Sequence, residues 1–174
     1  MIHQPDRGAS AADDDKFGVD ADGIPHAYRR AVTDFAGALG LDAEALMAGG
    51  RLDSGGLGFW LLHHGARDPR AMTVFVDVGE LPDDPAQQLA ILRELLEKNV
   101  TTPGAVAGYY GVVPGTSNCV LCTRLSFENV ESEGDALGTL MATLISGVDK
   151  TREVLQLVLD EMVKRSADAP LERV

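Results

Sequence analysis

The sequence predicts an α+β fold: a twisted antiparallel sheet of about five strands with three helices, in the order α-βββ-α-ββ-α. Three observations predict it. Apolar residues near both ends of the chain recur at helical spacing. Two blocks between them alternate with the two-residue period of strands. A helix-capping signature separates those blocks. A chain of 174 residues suits one domain with its own core.

The first helix is expected from Pro25, which suits a first helical turn. Tyr28, Val32, Phe35 and Leu39 then share one face, and Gly40 is placed to end the helix in a left-handed cap. Ala45 to Ala48 reads as a short strand, followed by the turn-like Asp53-Ser54-Gly55-Gly56. Leu57 to His64 is a second strand, with Phe59 and Leu61 on one face and Trp60 and Leu62 on the other. Arg67-Asp68-Pro69 turns the chain into a third strand. There Met72, Val74, Val76 and Val78 face one way, and Thr73, Phe75 and Asp77 the other.

Asp84 as cap, Pro85 at the first position and Gln87 beyond it open the second helix. Leu89, Leu92, Leu95 and Leu96 form its apolar stripe, and Asn99 with Pro103-Gly104 ends it. Strands around Val106 to Val113 and Cys119 to Phe127 flank the turn residues Pro114 to Asn118. The last helix is expected from about Glu133 to Val163, with Ser132 and Asp135 as its capping pair. Its seam of Leu137, Met141, Leu144, Val148, Leu155, Val158 and Met162 needs a long surface to lie on, and the sheet supplies it. Residues 1–23, with the run Asp13-Asp14-Asp15, read as a disordered acidic arm; 24–163 as a single domain; 164–174 as a polar tail.

Charge bounds the partners. The formal net charge is -12. Such a surface repels nucleic-acid phosphates and anionic lipid and favours neutral or basic partners. No apolar run approaches the ~20 residues that span a bilayer, and Met1 to Asp22 has no apolar signal segment, so a cytoplasmic location is expected.

No residue pattern supplies a catalytic centre, a metal site or a cofactor site. Cys119 and Cys122 have redox-pair spacing, but they sit in a strand pattern where residues three apart point to opposite faces. A closed zinc site needs four ligands, and no second such pair exists. His63 and His64 are adjacent in a strand and diverge likewise. Asp83-Asp84 would make a carboxylate pair, but capping accounts for Asp84. No Walker loop, dinucleotide fingerprint or nucleophile elbow is present. The notable feature is apolar surplus: Phe59, Trp60, Leu61 and Leu62 make one strand apolar on both faces, and Phe75 opposes the main apolar row of its own strand. That surplus fits a second buried surface, against a twin subunit or a client, or a sheet covered on both sides within one subunit.

Several segments together resemble the class I type III secretion chaperones, the CesT or Tir-chaperone family. Tyr28 to Leu41 resembles the family's first helix with its closing Leu-Gly pair. Phe75-Val76-Asp77-Val78-Gly79-Glu80-Leu81-Pro82 resembles the strand that leads into its second helix. Leu95-Leu96-Glu97-Lys98-Asn99 resembles that helix's end, and Gly108 to Phe127 its closing hairpin. The likeness runs from about Ile24 to Met162 and departs from the pattern in the N-terminal arm and in Ala48-Gly49-Gly50.

The resemblance implies a non-enzymatic bacterial chaperone. It would bind the N-terminal region of a secreted effector in extended form, without a cofactor, and keep it soluble and export-competent. It also implies a homodimer. Val32, Phe59, Leu61 and Phe75 are the expected effector-binding residues, and Leu92, Leu96, Val120 and Leu121 the expected dimer contacts. Two other readings are a small α+β protein-binding or regulatory domain unrelated to secretion, and an enzyme using the cysteine pair or His63 and His64.

Overall fold

The computed structural model describes residues 16–101 and 108–168. Among the described residues four α-helices and five strands follow one another as α1 (His26–Leu39), α2 (Ala43–Met47), β1 (Leu52–Ser54), β2 (Leu57–His63), β3 (Ala71–Glu80), α3 (Pro85–Thr101), β4 (Gly108–Val112), β5 (Asn118–Ser126) and α4 (Glu133–Asp168). The strands form one antiparallel sheet in the order β1-β2-β3-β5-β4. This is the predicted α+β class and strand number, with one additional short helix.

That helix corrects the reading of Ala45 to Ala48 as a strand. The Asp42 carboxylate accepts a hydrogen bond from the Ala45 amide at 3.1 Å, and a capped helical turn follows. The first strand falls instead on Leu52–Ser54, where a turn was expected; the turn itself is at Gly55-Gly56.

The other termini follow their local signals. Gly40, at φ 68°, closes α1 in the left-handed region, and the Leu41 amide reaches back to the Ala36 carbonyl. Asp84 accepts from the Gln87 amide at 2.9 Å, and Ser132 from the Asp135 amide at 3.2 Å. The last helix runs 36 residues, to Asp168, so 164–168 belongs to it rather than to a tail. At ~1.5 Å per residue it is about 54 Å long.

One face of the sheet carries the core. Leu57, Phe59 and Leu61 of β2, Met72, Val74, Val76 and Val78 of β3, and Cys119 and Leu121 of β5 meet Tyr28, Val32 and Phe35 of α1 and Leu137, Met141, Leu144 and Val148 of α4. The α1–α4 crossing is close because Gly134 has no side chain: a Cβ there would lie 2.7 Å from the Asp34 Cβ. The β3–β5 register shifts between Asp77 and Gly79. Arg152 of α4 donates to the carbonyls of Val78 (2.8 Å) and Asp77 (3.1 Å) at this irregularity, which pins the long helix to the sheet.

The packed body begins before Ile24. Phe17 lies against the core, Val19 bridges to Pro25, and Asp20 holds Arg29 at 2.6 Å. The expected arm therefore does not extend to residue 23; 1–15 and 169–174 lie outside the described residues, as does Pro103-Gly104.

Candidate functional site: two apolar surfaces

The sheet is apolar on both faces, and the described helices cover only one. On the other, the register aligns one residue from each of four strands: Trp60 pairs with Phe75, Phe75 with Cys122, and Cys122 with Tyr109. Trp60 and Phe75 are half-buried, Cys122 is buried, and Tyr109 is 62% exposed at the β4 edge. Leu62, 47% exposed, extends the apolar area beside Trp60. Among the described residues no helix lies above this row of aromatic rings and a thiol, and an apolar strip of this kind is uncommon on a sheet face left to water.

Charge borders one end of this row. The Arg51 guanidinium lies over the Trp60 ring at 5.4 Å, donates to Asp53 at 2.9 Å and reaches Asp77 at 3.9 Å. It can do so because Gly58 lies beneath it; a Cβ at residue 58 would be 2.5 Å from the Arg51 Nε.

The second surface is the outer side of α3. Ile91 and Leu95 turn inward to the core. Leu89, Leu92, Leu96 and Val100 line a separate shallow groove on the outside with the stems of Arg93 and Glu97. Leu89, Leu96 and Val100 are 69, 63 and 81% exposed. Spacings of three, four and four residues put these four on one stripe. The stripe inferred from sequence thus divides: Leu95 serves the core, and Leu89, Leu92 and Leu96 do not.

The expected site residues separate accordingly. Val32, Phe59 and Leu61 are buried in the core beneath the helices, so they are not on a surface of the subunit. Phe75 alone of those four lies on the open face. Leu92 and Leu96 lie on the outer α3 stripe. Val120 and Leu121 are buried within the subunit on opposite sheet faces, so they do not join the exposed α3 stripe. Trp60, Cys122 and Tyr109 were missed as partners of Phe75, because only the register brings them into line.

The cysteines do point to opposite faces: Cys119 joins the core and Cys122 the open face. Burial pushes both thiols above their ordinary value; the Asp77 charge adds to this at Cys119, and a Tyr109 hydrogen bond opposes it at Cys122. His63 accepts from the Gly65 amide, and His64 pairs with the Thr73 hydroxyl at 2.8 Å. Among the described residues no three His, Cys, Asp or Glu side chains are grouped to hold a metal ion, and no helix is long and apolar enough to cross a membrane.

Comparison with known proteins places this architecture. The profile of the Tir chaperone protein (CesT) family matches residues 30–152. The chain belongs to that family. Its members are protein-binding chaperones of type III secretion, the kind the motifs resemble. The family match ends inside α4, which continues to Asp168. A chain in the crystal structure of the ExsC–ExsE complex has the same fold, with a TM-score of 0.52 at 18% identity, covering 76% of this chain and 96% of that one. No curated protein matches the sequence.

Proposed function

We propose that this chaperone holds the N-terminal region of a secreted effector in extended form across the open sheet face and so keeps it soluble and export-competent in the bacterial cytoplasm. The observation that carries the reading is the row Trp60–Phe75–Cys122–Tyr109 on the face that the described helices leave open. An extended segment presents alternate side chains to such a row while its backbone stays available for pairing. The similar fold in the ExsC–ExsE complex, a protein bound to a protein, supports the same use. The net charge of -12 disfavours nucleic acid and anionic membranes as partners.

The working unit in this reading is a homodimer joined through the outer face of α3. Three large aliphatic side chains on one helical stripe, each more than half exposed, are costly to leave in water and fit the same stripe of a second copy. The open sheet face stays free for the client.

Purification from the native host with mass spectrometry of the bound material tests the function. The expected result is a secreted protein protected from proteolysis over its N-terminal region by the wild type and absent from the Phe75→Asp variant. Identical material on both proteins would remove the open face from the account.

A further inference from the structure

Arg51 occupies an unusual place for a surface arginine. Its guanidinium lies inward across the open sheet face, over the Trp60 ring, with Asp53 and Asp77 as its carboxylate partners. Gly58 leaves the slot in which it rests. An aromatic face bordered by two carboxylates is the chemistry that receives a guanidinium or an ammonium group: the ring attracts the cation through its quadrupole, and the carboxylates supply charge-assisted hydrogen bonds.

The fold does not need this seat filled. Arg51 precedes β1, its side chain is 50% exposed, and neither it nor Asp53 belongs to the core. Exposed ion pairs of this kind add little stability, so exchanging one guanidinium for another costs the chain little. The seat also opens onto Trp60, the first member of the apolar row, so a basic residue placed there continues directly into apolar positions.

We propose that Arg51 is an intramolecular stand-in, and that the seat formed by Trp60, Asp53 and Asp77 receives an arginine or lysine of the client segment. This rests on the reading of the open sheet face as the client surface, and it adds the chemical class of residue recognised there. A client side chain displaces Arg51, the carboxylates select its charge, and the apolar row takes the residues that follow.

Trp60 is the chain's single tryptophan, so its fluorescence reports on the seat directly. The probes are two short synthetic peptides of alternating leucine and serine that carry arginine or glutamine at the centre. The full-length protein should bind the arginine peptide roughly fivefold more tightly, a preference of the size that exposed ion pairs and cation–π contacts provide. Arg51→Ala should tighten the arginine peptide further by removing the competitor. Asp77→Asn should abolish the preference, whereas general attraction to the acidic surface would survive the loss of one carboxylate among 27 Asp and Glu residues. Equal binding of the two peptides would overturn the seat and leave the open-face reading standing. Unchanged affinity in Arg51→Ala would overturn the stand-in role. Binding of neither peptide to either protein would overturn both the seat and the face.

Discussion

Asn99 closes the free edge of the sheet by treating the Tyr110 backbone as a strand partner would. Its side-chain oxygen accepts from the Tyr110 amide at 2.7 Å, and its side-chain nitrogen donates to the Tyr110 carbonyl at 3.1 Å. Residues on either side of Tyr110 turn their backbone toward β5, so Tyr110 sits in the middle of the exposed edge. A side-chain amide from α3 therefore satisfies backbone groups that would otherwise be available to another chain. Asn99→Ala should speed hydrogen exchange at the Tyr110 amide and leave the β5 amides protected. Asn99→Asp keeps the acceptor and should retain most of the protection. Equal exchange in all three proteins would show that the clasp does not persist in solution.

The elements easiest to read from sequence were those fixed by neighbours in the chain. Asp84 and Ser132 cap the helices they were expected to cap, because a cap needs only residues within one turn. The short helix α2 was lost for the converse reason: Asp42 is an equally local cap, but the five-residue helix behind it is too short to show a period. The candidate site was harder. Phe59 and Trp60 look equivalent along a strand that is apolar on both faces, yet Phe59 pairs with Val76 and Trp60 with Phe75. One residue of register decides which aromatic is core and which is surface, and that register is set by contacts distant in the chain.

In the proposed dimer, the outer stripe of α3 is the contact between subunits. Light scattering at micromolar concentration should give twice the 18.5 kDa chain mass. Leu96→Asp changes an exposed side chain, so a subunit that does not use it should keep its fold. In a dimer joined through α3 the same change buries an unpaired carboxylate, and the expected result is a monomer with unchanged helical circular dichroism. A wild type that is monomeric at that concentration would remove α3 as an interface.

The cysteines should behave as packing residues. Burial raises both thiols above their ordinary value, so little thiolate exists near neutrality. Reaction with an aromatic disulfide reagent should follow unfolding, and Cys119→Ser should lose stability without changing client binding. Fast reaction of either thiol in the folded protein would contradict this.

Glu133 couples the start of α4 to pH. Burial pushes its carboxyl up, but Arg30 at 3.0 Å, a backbone hydrogen bond and Lys16 at 3.7 Å outweigh that and hold it below the ordinary 4.5. A carboxylate whose folded value is depressed stabilises the fold above its unfolded value, and that contribution is lost as pH falls through the folded value. The window therefore lies below about pH 4.5. Glu133→Gln should lower stability near pH 7 by about 1 kcal/mol, a modest figure because Arg30 is partly exposed. The difference from wild type should shrink as the pH is lowered toward 3. A difference that stays constant with pH would mean that the charge of Glu133 does not matter to the fold.

Phe75 is the centre of the proposed client surface, between Trp60 and Cys122 on the sheet face that the described helices leave open. A buried aromatic anchor at an interface commonly contributes ~2 kcal/mol or more, and its loss weakens binding roughly thirtyfold. Phe75→Asp should abolish client capture while mass and helical content stay as in the wild type. Phe75 is half-buried, however, and its neighbours on the row also hold it in place. Tyr109→Ser therefore provides a second measurement, at a position 62% exposed on the same row and close to the sheet edge. It should weaken capture less than Phe75→Asp and leave stability within about 1 kcal/mol. Capture lost in Phe75→Asp and weakened in Tyr109→Ser, with the fold retained in both, is the expected pattern. If Phe75→Asp unfolds and Tyr109→Ser binds as wild type, Phe75 is a packing residue and the client lies on another surface. If both remain folded and bind as before, the apolar row is not the contact.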